Sequence, residues 1–328
     1  MPDATVPAAP LQVASPFLCL GVPLSELPRL PLPDFLVIGA MKCGTTTLYH
    51  DLRRQPGVAL PDKESNGLLQ SDPAAAYRRW FGQSGETFLR GEVCPDYTKP
   101  GLDRRAALAA RGLYGSGPKP KLVYLVRDPI ARLLSHHYFV STQHGEANPG
   151  GMTSDLDSSL RDFPELIDTS RYACRLAPWV EAFGKESLKV VRFEDYVSDR
   201  RPTISDVAGF IGLETADLAS IDPGRVDNPS ATRPVATPGW RCVLGSPLYR
   251  RWVRPLLSAD TREGLRRRLL PKPPSRPAAP SEATLARLVE TLTPEVEALR
   301  RLLGSAEPWW DLDQAWRSGA YSSAPAVT

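Results

Sequence analysis

A short segment bounded by two glycines carries the residues with the most direct chemical meaning. Gly39 and Gly44 enclose Lys42, and a run of threonines begins at Thr45. The apolar residues 35–38 before the segment predict a buried strand, and the residues from 45 onward predict a helix. A loop of this kind aims backbone N–H groups and a helix N-terminus at an anion. The segment therefore predicts a phosphate-binding loop.

The position of the lysine separates this loop from that of a nucleoside triphosphatase. The triphosphatase pattern has lysine directly after the second glycine, whereas Thr45 occupies that position here. Lys42 can still reach an anion that the amides of Gly44, Thr45 and Thr46 hold, but from another side. The alternative is an ordinary strand–turn–helix with an incidental lysine.

A second candidate anion site lies where another strand ends. Arg127 follows residues 121–126, the strongest strand candidate of the chain, and Ser135 lies in a helix predicted from residue 129 to about 140. Because ligands of open α/β sheets bind beyond the carboxyl ends of the strands, we expect Arg127 to face the same crevice as Lys42. A guanidinium and a hydroxyl at this spacing suit a phosphate monoester.

A structural ion pair is the alternative for this arginine. Arg127 could pair with Asp128, its neighbour in the chain, or with Asp96.

The elements that must position these residues alternate between strands and helices. Further strands are predicted at residues 57–61, 87–92 and 188–193, with helices at 74–81, 103–111 and 172–183. Residues 157–167 are predicted as loop or short helix, and Pro178 as a kink or restart of its helix. This alternation predicts an α/β fold, a parallel, doubly wound sheet flanked by helices.

The C-terminal third predicts a helical extension. Residues 222–245 are expected to form a loop and 271–280 a proline-rich linker, with helices at 247–257, 261–270 and 281–303. Ser281 is a candidate cap of the last helix, and Pro294 is expected to break or kink it. The expected organisation is an irregular segment 1–30 and a single domain 31–328, whose C-terminal helical portion covers about 240–317.

Composition narrows the functional classes. The 328 residues suit one large α/β domain or two small ones, and a net charge of +3 does not imply a nucleic-acid partner. The five cysteines lack metal-type pairing, so reduced thiols and a cytoplasmic location are expected. The sequence shows neither a secretory signal nor a stretch long enough to span a membrane.

Both anion motifs resemble those of one family. The Lys42 loop resembles the 5′-phosphosulfate loop of sulfotransferases whose donor is 3′-phosphoadenosine 5′-phosphosulfate (PAPS). Residues 124–135 resemble the 3′-phosphate motif of the same enzymes. The chain is identified as a member of the PAPS-dependent sulfotransferases over roughly residues 33–317, which implies their P-loop-type parallel sheet.

Weaker similarities point to the heparan-type and carbohydrate branch and to its bacterial members. The matching residues are Lys63 and Glu64; Glu92, Pro95, Asp96 and Tyr97; Ser170, Arg171, Tyr172 and Trp179; and the ending, residues 299–304 with Trp309 and Trp310. Two features depart from the branch: Leu68 and Leu69 replace an aromatic pair, and Val93 replaces a lysine. Both departures lie on the acceptor side.

The resemblance implies a role for each donor-site residue. Lys42 would bind the 5′-phosphate and neutralise charge on the bridging oxygen, with no metal needed because the lysine does the work of Mg²⁺ in kinases. Arg127 and Ser135 would bind the 3′-phosphate. The other residues implied in donor binding are Cys43, Gly44, Thr45, Thr46, Thr47 and Tyr172.

An attacking hydroxyl benefits from a general base, and Glu64 is the preferred candidate. The alternatives are His136 and His137 beside Ser135, and Glu92 or Asp96 near the acceptor crevice. A solvated loop carboxylate is the plainer interpretation of Glu64.

The resemblance implies sulfuryl transfer from PAPS, leaving 3′,5′-ADP (PAP). The acceptor would be a hydroxyl, or less readily an amine, of a carbohydrate or specialised metabolite. One rival function is a P-loop kinase or triphosphatase with Asp128 or Asp195 as the Mg²⁺-binding acid. A non-catalytic nucleotide-binding protein is the other.

An arginine cluster at residues 250–268 is interleaved with Trp252 and leucines. A solvated helical face is one interpretation, and a surface for an anionic or lipid-linked acceptor, with peripheral membrane contact, is another. Nucleic-acid binding is disfavoured because no recognised motif accompanies the cluster. The oligomeric state is not determined by the sequence.

Overall fold

Five parallel strands form one sheet in the order β2-β3-β1-β4-β5. The computed structural model describes residues 30–83, 88–143, 152–214, 216–224, 246–247, 249–253, 265 and 279–322. The strands are β1 (Phe35–Gly39), β2 (Val58–Ala59), β3 (Leu89–Val93), β4 (Lys121–Val126) and β5 (Leu188–Arg192). This arrangement confirms the predicted parallel α/β sheet.

The central strands are apolar because helices cover both of their faces. Every residue of β1 is buried, and in β4 only the first residue is exposed. β1 lies between β3 and β4, with Phe35 beside Gly91 on one side and Lys121 on the other. The carboxyl ends of β1 and β4, and therefore the Lys42 loop and Arg127, lie side by side.

The described helices connect and flank the strands. They are α1 (Thr45–Arg53), α2 (Pro73–Phe81), α3 (Asp103–Tyr114), α4 (Pro129–Gln143), α5 (Leu156–Asp162), α6 (Glu165–Asp168), α7 (Tyr172–Phe183), α8 (Phe193–Ser198), α9 (Arg200–Ile211), α10 (Glu282–Leu303) and α11 (Leu312–Arg317). A π-helical turn covers Tyr249–Val253. The helical C-terminal extension is thereby confirmed.

The restart predicted at Pro178 and the break predicted at Pro294 do not occur, while the predicted kinks stay predictions. Helix α7 continues through Pro178, and helix α10 continues through Pro294. Proline removes one backbone hydrogen bond, but packing of an apolar helix face offsets that loss. In α7 this face includes the fully buried Trp179, and in α10 it includes the fully buried Leu292.

Other sequence predictions differ in detail. The strand expected at 87–92 covers 89–93, and the segment 157–167 forms the two short helices α5 and α6. Ser281 caps α10, since its Oγ accepts a hydrogen bond of 3.2 Å from the N–H of Thr284. The N-terminal residues 1–29, most of the loop 222–245, most of the linker 271–280 and most of the two helices predicted between 247 and 270 lie outside the described residues.

Two apolar clusters form the interior. The larger one surrounds the sheet, and the smaller one lies where α4, α5, α6, α10 and α11 meet. Helix α10 contributes to both, because Leu299 packs in the first and Leu288 in the second. None of the helices among the described residues is long and apolar enough to cross a membrane.

Candidate donor and acceptor sites

The loop between β1 and α1 has the backbone of an anion site. Lys42 and Gly44 have positive φ angles of 71° and 87°. A Cβ at Gly44 would lie 2.9 Å from Cδ2 of Phe193, so close packing as well as backbone conformation requires glycine there. Among the described residues, no side chain caps α1, and its first turn contains no acidic residue. The N–H groups of this turn can therefore bind an anion.

Lys42 extends from this loop towards α4. Its Nζ lies 4.2 Å from the centroid of the Phe139 ring, a cation–π contact with the helix that also carries Ser135. The lysine ammonium is thereby directed to the space between the loop and α4. The predicted role of Lys42 beside a bound anion stays a prediction.

Arg127 is half-buried, its backbone is held by Tyr172 and its guanidinium stacks on Phe193. The Tyr172 hydroxyl donates to the carbonyl oxygen of Arg127 at 2.8 Å and accepts from its N–H at 3.4 Å. The guanidinium carbon lies 4.8 Å from the centroid of the Phe193 ring. The ion pair considered for Arg127 does not occur among the described salt bridges, since Asp96 pairs with Lys99 at 2.6 Å.

Phe193 therefore joins the two anion sites. Its ring packs against Gly44 of the loop and lies under the guanidinium of Arg127. Sequence reasoning missed this residue, although its position directly after β5, at a carboxyl strand end, is the available signal. Tyr172 was predicted as a donor-binding residue only from the resemblance to the family. In the structure its hydroxyl holds the Arg127 backbone.

Ser135 lies two turns into α4, at a half-buried position. Asp128 begins that helix, because its Oδ1 accepts a hydrogen bond of 2.8 Å from the N–H of Ala131. Within the described part of the chain, the Ser135 hydroxyl makes no hydrogen bond. A half-buried hydroxyl with no partner among the described residues can bind a phosphate oxygen.

A buried arginine adds positive charge behind the site. The Arg132 side chain is fully buried, and its guanidinium contacts the Ser170 hydroxyl at 2.7 Å, the Leu166 carbonyl at 2.5 Å and Nδ1 of His136 at 3.3 Å. These three partners are neutral, and no carboxylate pairs with Arg132 among the described residues. Because a buried charge is costly without a counter-charge, this interior favours an anion nearby.

Cys43 belongs to the core and not to the surface of the loop. Burial raises the pKa of its thiol to about 11, and the charge of Arg132 only partly opposes that shift. Its Sγ lies 3.7 Å from the Tyr172 hydroxyl. The side chain is therefore a neutral packing group, and only the backbone of Cys43 can contact a ligand of the loop.

Glu64 lies on the loop that follows β2 in the chain and packs against the carboxyl end of β3. Its N–H donates to the carbonyl oxygen of Val93 at 3.0 Å, and its φ is 62°. The carboxylate pairs with Lys63, and its side chain is 52 % exposed. This loop neighbours the phosphate-binding loop because β3 and β1 are adjacent. Glu64 is thus an accessible acidic group on a loop beside the phosphate-binding loop.

Glu92, an alternative base, has a different position. It is fully buried and accepts hydrogen bonds from the Ser65 hydroxyl at 2.9 Å, the Gly67 N–H at 2.8 Å and the Tyr77 hydroxyl at 2.7 Å. These donors occupy both carboxylate oxygens, and the buried side chain is not accessible to a substrate. Glu92 instead anchors the loop that carries Glu64.

The two histidines are also poor candidates for the base. Arginine only donates, so Nδ1 of His136 accepts from Arg132 and the ring proton lies on Nε2. Burial and then the Arg132 charge lower the pKa of His136 well below its usual value. The His137 Nε2 contacts the Thr153 carbonyl oxygen at 2.9 Å and must donate to it. The remaining acceptor, Nδ1 of His137, is a weak base because burial lowers the pKa of this ring.

The acids considered for Mg²⁺ in a kinase are occupied elsewhere. Asp195 pairs with Arg192, and Asp128 accepts from Ala131 and from the Tyr321 hydroxyl. No group of three or more His, Cys, Asp or Glu that could hold a metal ion occurs within the described residues.

Comparison with known proteins places the chain in a family. The sulfotransferase domain matches residues 32–228, more than half of the chain. The chain belongs to the sulfotransferase family.

Two mammalian relatives illustrate the branch. Carbohydrate sulfotransferase 15 of Mus musculus is 24% identical over 246 residues, covering 56% of this chain and 44% of the relative. Heparan sulfate glucosamine 3-O-sulfotransferase 3B1 of the same species is 28% identical over 193 residues, covering 56% of this chain and 47% of the relative. The chain thus spans about half the length of the curated relatives that it matches.

A solved structure supports the fold. The sulfotransferase from Alicyclobacillus acidocaldarius superposes with a TM-score of 0.54 at 17% identity, covering 87% of this chain and 99% of that one. At this identity the likeness concerns the fold alone.

Proposed function

We propose that this chain transfers a sulfuryl group from PAPS to a hydroxyl, or less readily an amine, of a carbohydrate or specialised metabolite. The contact of one ring, Phe193, with both the glycine loop and Arg127 carries the proposal. This shared contact brings the Lys42 loop and Arg127 close together. Two neighbouring anion-binding sites are what a donor with two separate phosphate groups requires. A triphosphate has its phosphates in one row and does not need the second site.

The residues of the loop supply electrostatic stabilisation. Sulfuryl transfer moves a nearly neutral SO₃ unit, so by analogy with loose phosphoryl transfer the charge develops mainly on the leaving oxygen. Lys42 would neutralise that charge, and the amides of the first turn of α1 would hold the 5′-phosphate. Arg127 and Ser135 would bind the 3′-phosphate, with Arg132 as a fixed positive charge behind them.

We assign the general base to Glu64. Its exposure on the acceptor-side loop supports the assignment, because a base must reach a substrate that enters from solvent. The hydrogen bonds from Ser65 and Gly67 to Glu92 support the assignment indirectly, because they hold the loop that carries Glu64. The acceptor class rests on the names of the relatives, and a glycan or a small molecule would fit it equally.

The proposal is tested by donor competition and turnover. A labelled PAPS donor should transfer label to a panel of hydroxylated sugars and metabolites, and PAP should compete far better than ATP with Mg²⁺. Turnover with ATP, or tight ATP binding and no effect of PAP, would instead support the kinase alternative. Tight PAP binding without transfer to any member of the panel would favour the non-catalytic alternative.

The cytoplasmic location and the peripheral membrane contact remain predictions. The free cysteines Cys43, Cys94 and Cys174 support a reducing environment. The arginine cluster lies mostly outside the described residues.

A further inference from the structure

The end of the described chain returns to the candidate donor site. In the C-terminal segment (residues 309–321), the Trp309 carbonyl accepts from Arg192 at 3.4 Å and the Trp310 ring lies 6.3 Å from that of Tyr172. The Tyr321 hydroxyl donates to Oδ2 of Asp128 at 2.7 Å. All three partners lie next to Arg127. Asp128 follows it in the chain, and Tyr172 hydrogen-bonds to its backbone. Arg192 lies on the neighbouring strand β5.

Asp128 is the partner with the largest influence on the site. One carboxylate oxygen begins α4 through the Ala131 N–H, and the other accepts from Tyr321. The Asp128 N–H donates to Oε1 of Glu194 at 2.9 Å. Asp128 thereby links Arg127 to the helix that carries Ser135.

The Asp128 carboxylate would repel a phosphate at Arg127 if it were free to turn towards that residue. Burial raises the pKa of both Asp128 and Glu194, because removal from water disfavours a charged carboxylate. Burial and the Asp128 charge also raise the pKa of Tyr321, so its hydroxyl keeps the proton and donates it. Without that donor, the carboxylate could turn towards the guanidinium of Arg127, its neighbour in the chain.

We infer that Tyr321 is a positioning residue for the 3′-phosphate of the donor. It holds the Asp128 carboxylate at the start of α4, so that Arg127 and Ser135 stay available to the phosphate. The inference rests on the proposed function, because it concerns the same site. It adds a residue that is 193 positions away from its partner in the chain.

The test is Tyr321→Phe, which removes one hydroxyl and keeps the buried ring. Calorimetry with PAP and with 5′-AMP measures the effect, since only PAP carries the 3′-phosphate. We expect PAP binding to weaken about tenfold, as for loss of one charge-assisted hydrogen bond, and 5′-AMP binding to change by less than about twofold.

Trp316→Phe is the matched control in the same segment. The Trp316 Nε1–H donates to Glu282 at 2.9 Å, away from Asp128. This variant should leave the ratio of PAP to 5′-AMP affinity unchanged. In an Asp128→Asn background, Tyr321→Phe should cause no further loss, because the carboxylate that it restrains is gone.

The outcomes separate the inference from the proposed function. Equal losses for both nucleotides, an unchanged ratio, or additive losses with Asp128→Asn would overturn the role of Tyr321. If the wild-type protein does not prefer PAP over 5′-AMP, the proposed function fails and the inference with it. A wild-type preference together with an unchanged ratio in Tyr321→Phe refutes the inference alone.

Discussion

The proposed donor side and the proposed acceptor side are built in different ways. On the donor side, Arg127 is held by Tyr172 and Phe193, which lie 45 and 66 residues later in the chain. On the acceptor side, Glu64 pairs with Lys63, its neighbour in the chain. The side chain and backbone of Arg127 are therefore held by long-range contacts, whereas the Glu64 carboxylate pairs with a local partner and only the backbone of its loop is held by distant residues.

The difference has a physical reason in the ligands. A donor with two phosphate groups needs cations at fixed separation, so rigid elements must hold them. An acceptor needs one base and a surface of suitable shape, which a half-exposed loop can supply. Glu92 fixes the inner end of that loop through hydrogen bonds from Ser65 and Gly67, so only the outer residues of the loop can adapt. Substitutions on the two sides should accordingly change different measurements.

The largest effect is expected from Lys42→Ala. Loss of the charge that stabilises the leaving oxygen should lower kcat by about 10³- to 10⁵-fold, by analogy with cationic groups in phosphoryl transfer. Lys42→Arg should recover little, because a planar fork does not replace a point charge. Single-turnover kinetics measures the catalytic step, and thermal unfolding separately measures the stability of each variant. Near-normal turnover in Lys42→Ala would show that the loop is not catalytic.

Glu64→Gln should lower kcat by about 10²- to 10⁴-fold while the affinity for PAP stays near that of the wild type. The amide preserves size but cannot take up the proton, so the acidic limb of the pH–rate profile should disappear. The matched control is Glu92→Gln, which we expect to lower the free energy of unfolding by about 1–3 kcal/mol through the weakened buried hydrogen bonds.

His136→Gln and His137→Gln should keep that acidic limb. A Glu64→Gln enzyme with normal turnover and an unchanged limb would assign the base to another residue. A Glu64→Gln enzyme that loses stability like Glu92→Gln would erase the distinction between the two carboxylates.

Arg127→Ala should weaken PAP about ten- to a hundredfold, since a charge-assisted contact contributes about 1.5–3 kcal/mol. Ser135→Ala should cause a smaller loss of the same kind. Binding of 5′-AMP should change little in either variant, as calorimetry can measure. Equal losses for both nucleotides would mean that neither residue contacts the 3′-phosphate.

The smallest effect concerns stability against pH. Burial lowers the pKa of His136 in the folded protein, so its contribution is complete above the unfolded value of about 6.5 and is lost as pH falls below it. Between pH 6.5 and 5 the wild type should lose up to about 1.4 kcal/mol per pH unit more than His136→Gln. Urea unfolding at several pH values measures the difference.

Two nearby carboxyls act in the opposite direction. Asp128 and Glu194 have raised pKa values in the folded state, so their protonation stabilises the folded protein as pH falls. Both proteins share this contribution, and their difference isolates His136. Parallel stability curves for the wild type and His136→Gln would contradict the buried neutral imidazole.

Local patterns in the sequence determined the framework of the donor site. The apolar run before Gly39 and the spacing of Gly39, Lys42 and Gly44 predict the strand, loop and helix, because each depends on a few adjacent residues. Arg127 at a strand end and Ser135 in the following helix were predicted for the same reason. The alternation of such units also predicted the parallel sheet.

Only the tertiary structure decided how these parts meet. Phe193 under Arg127, Tyr321 on Asp128 and the continuous helices through Pro178 and Pro294 depend on contacts between distant segments. The same holds for two glutamates that look alike in the sequence. Glu92 is buried among three donors and Glu64 is half exposed, because burial is a property of the packed chain and not of the residue type.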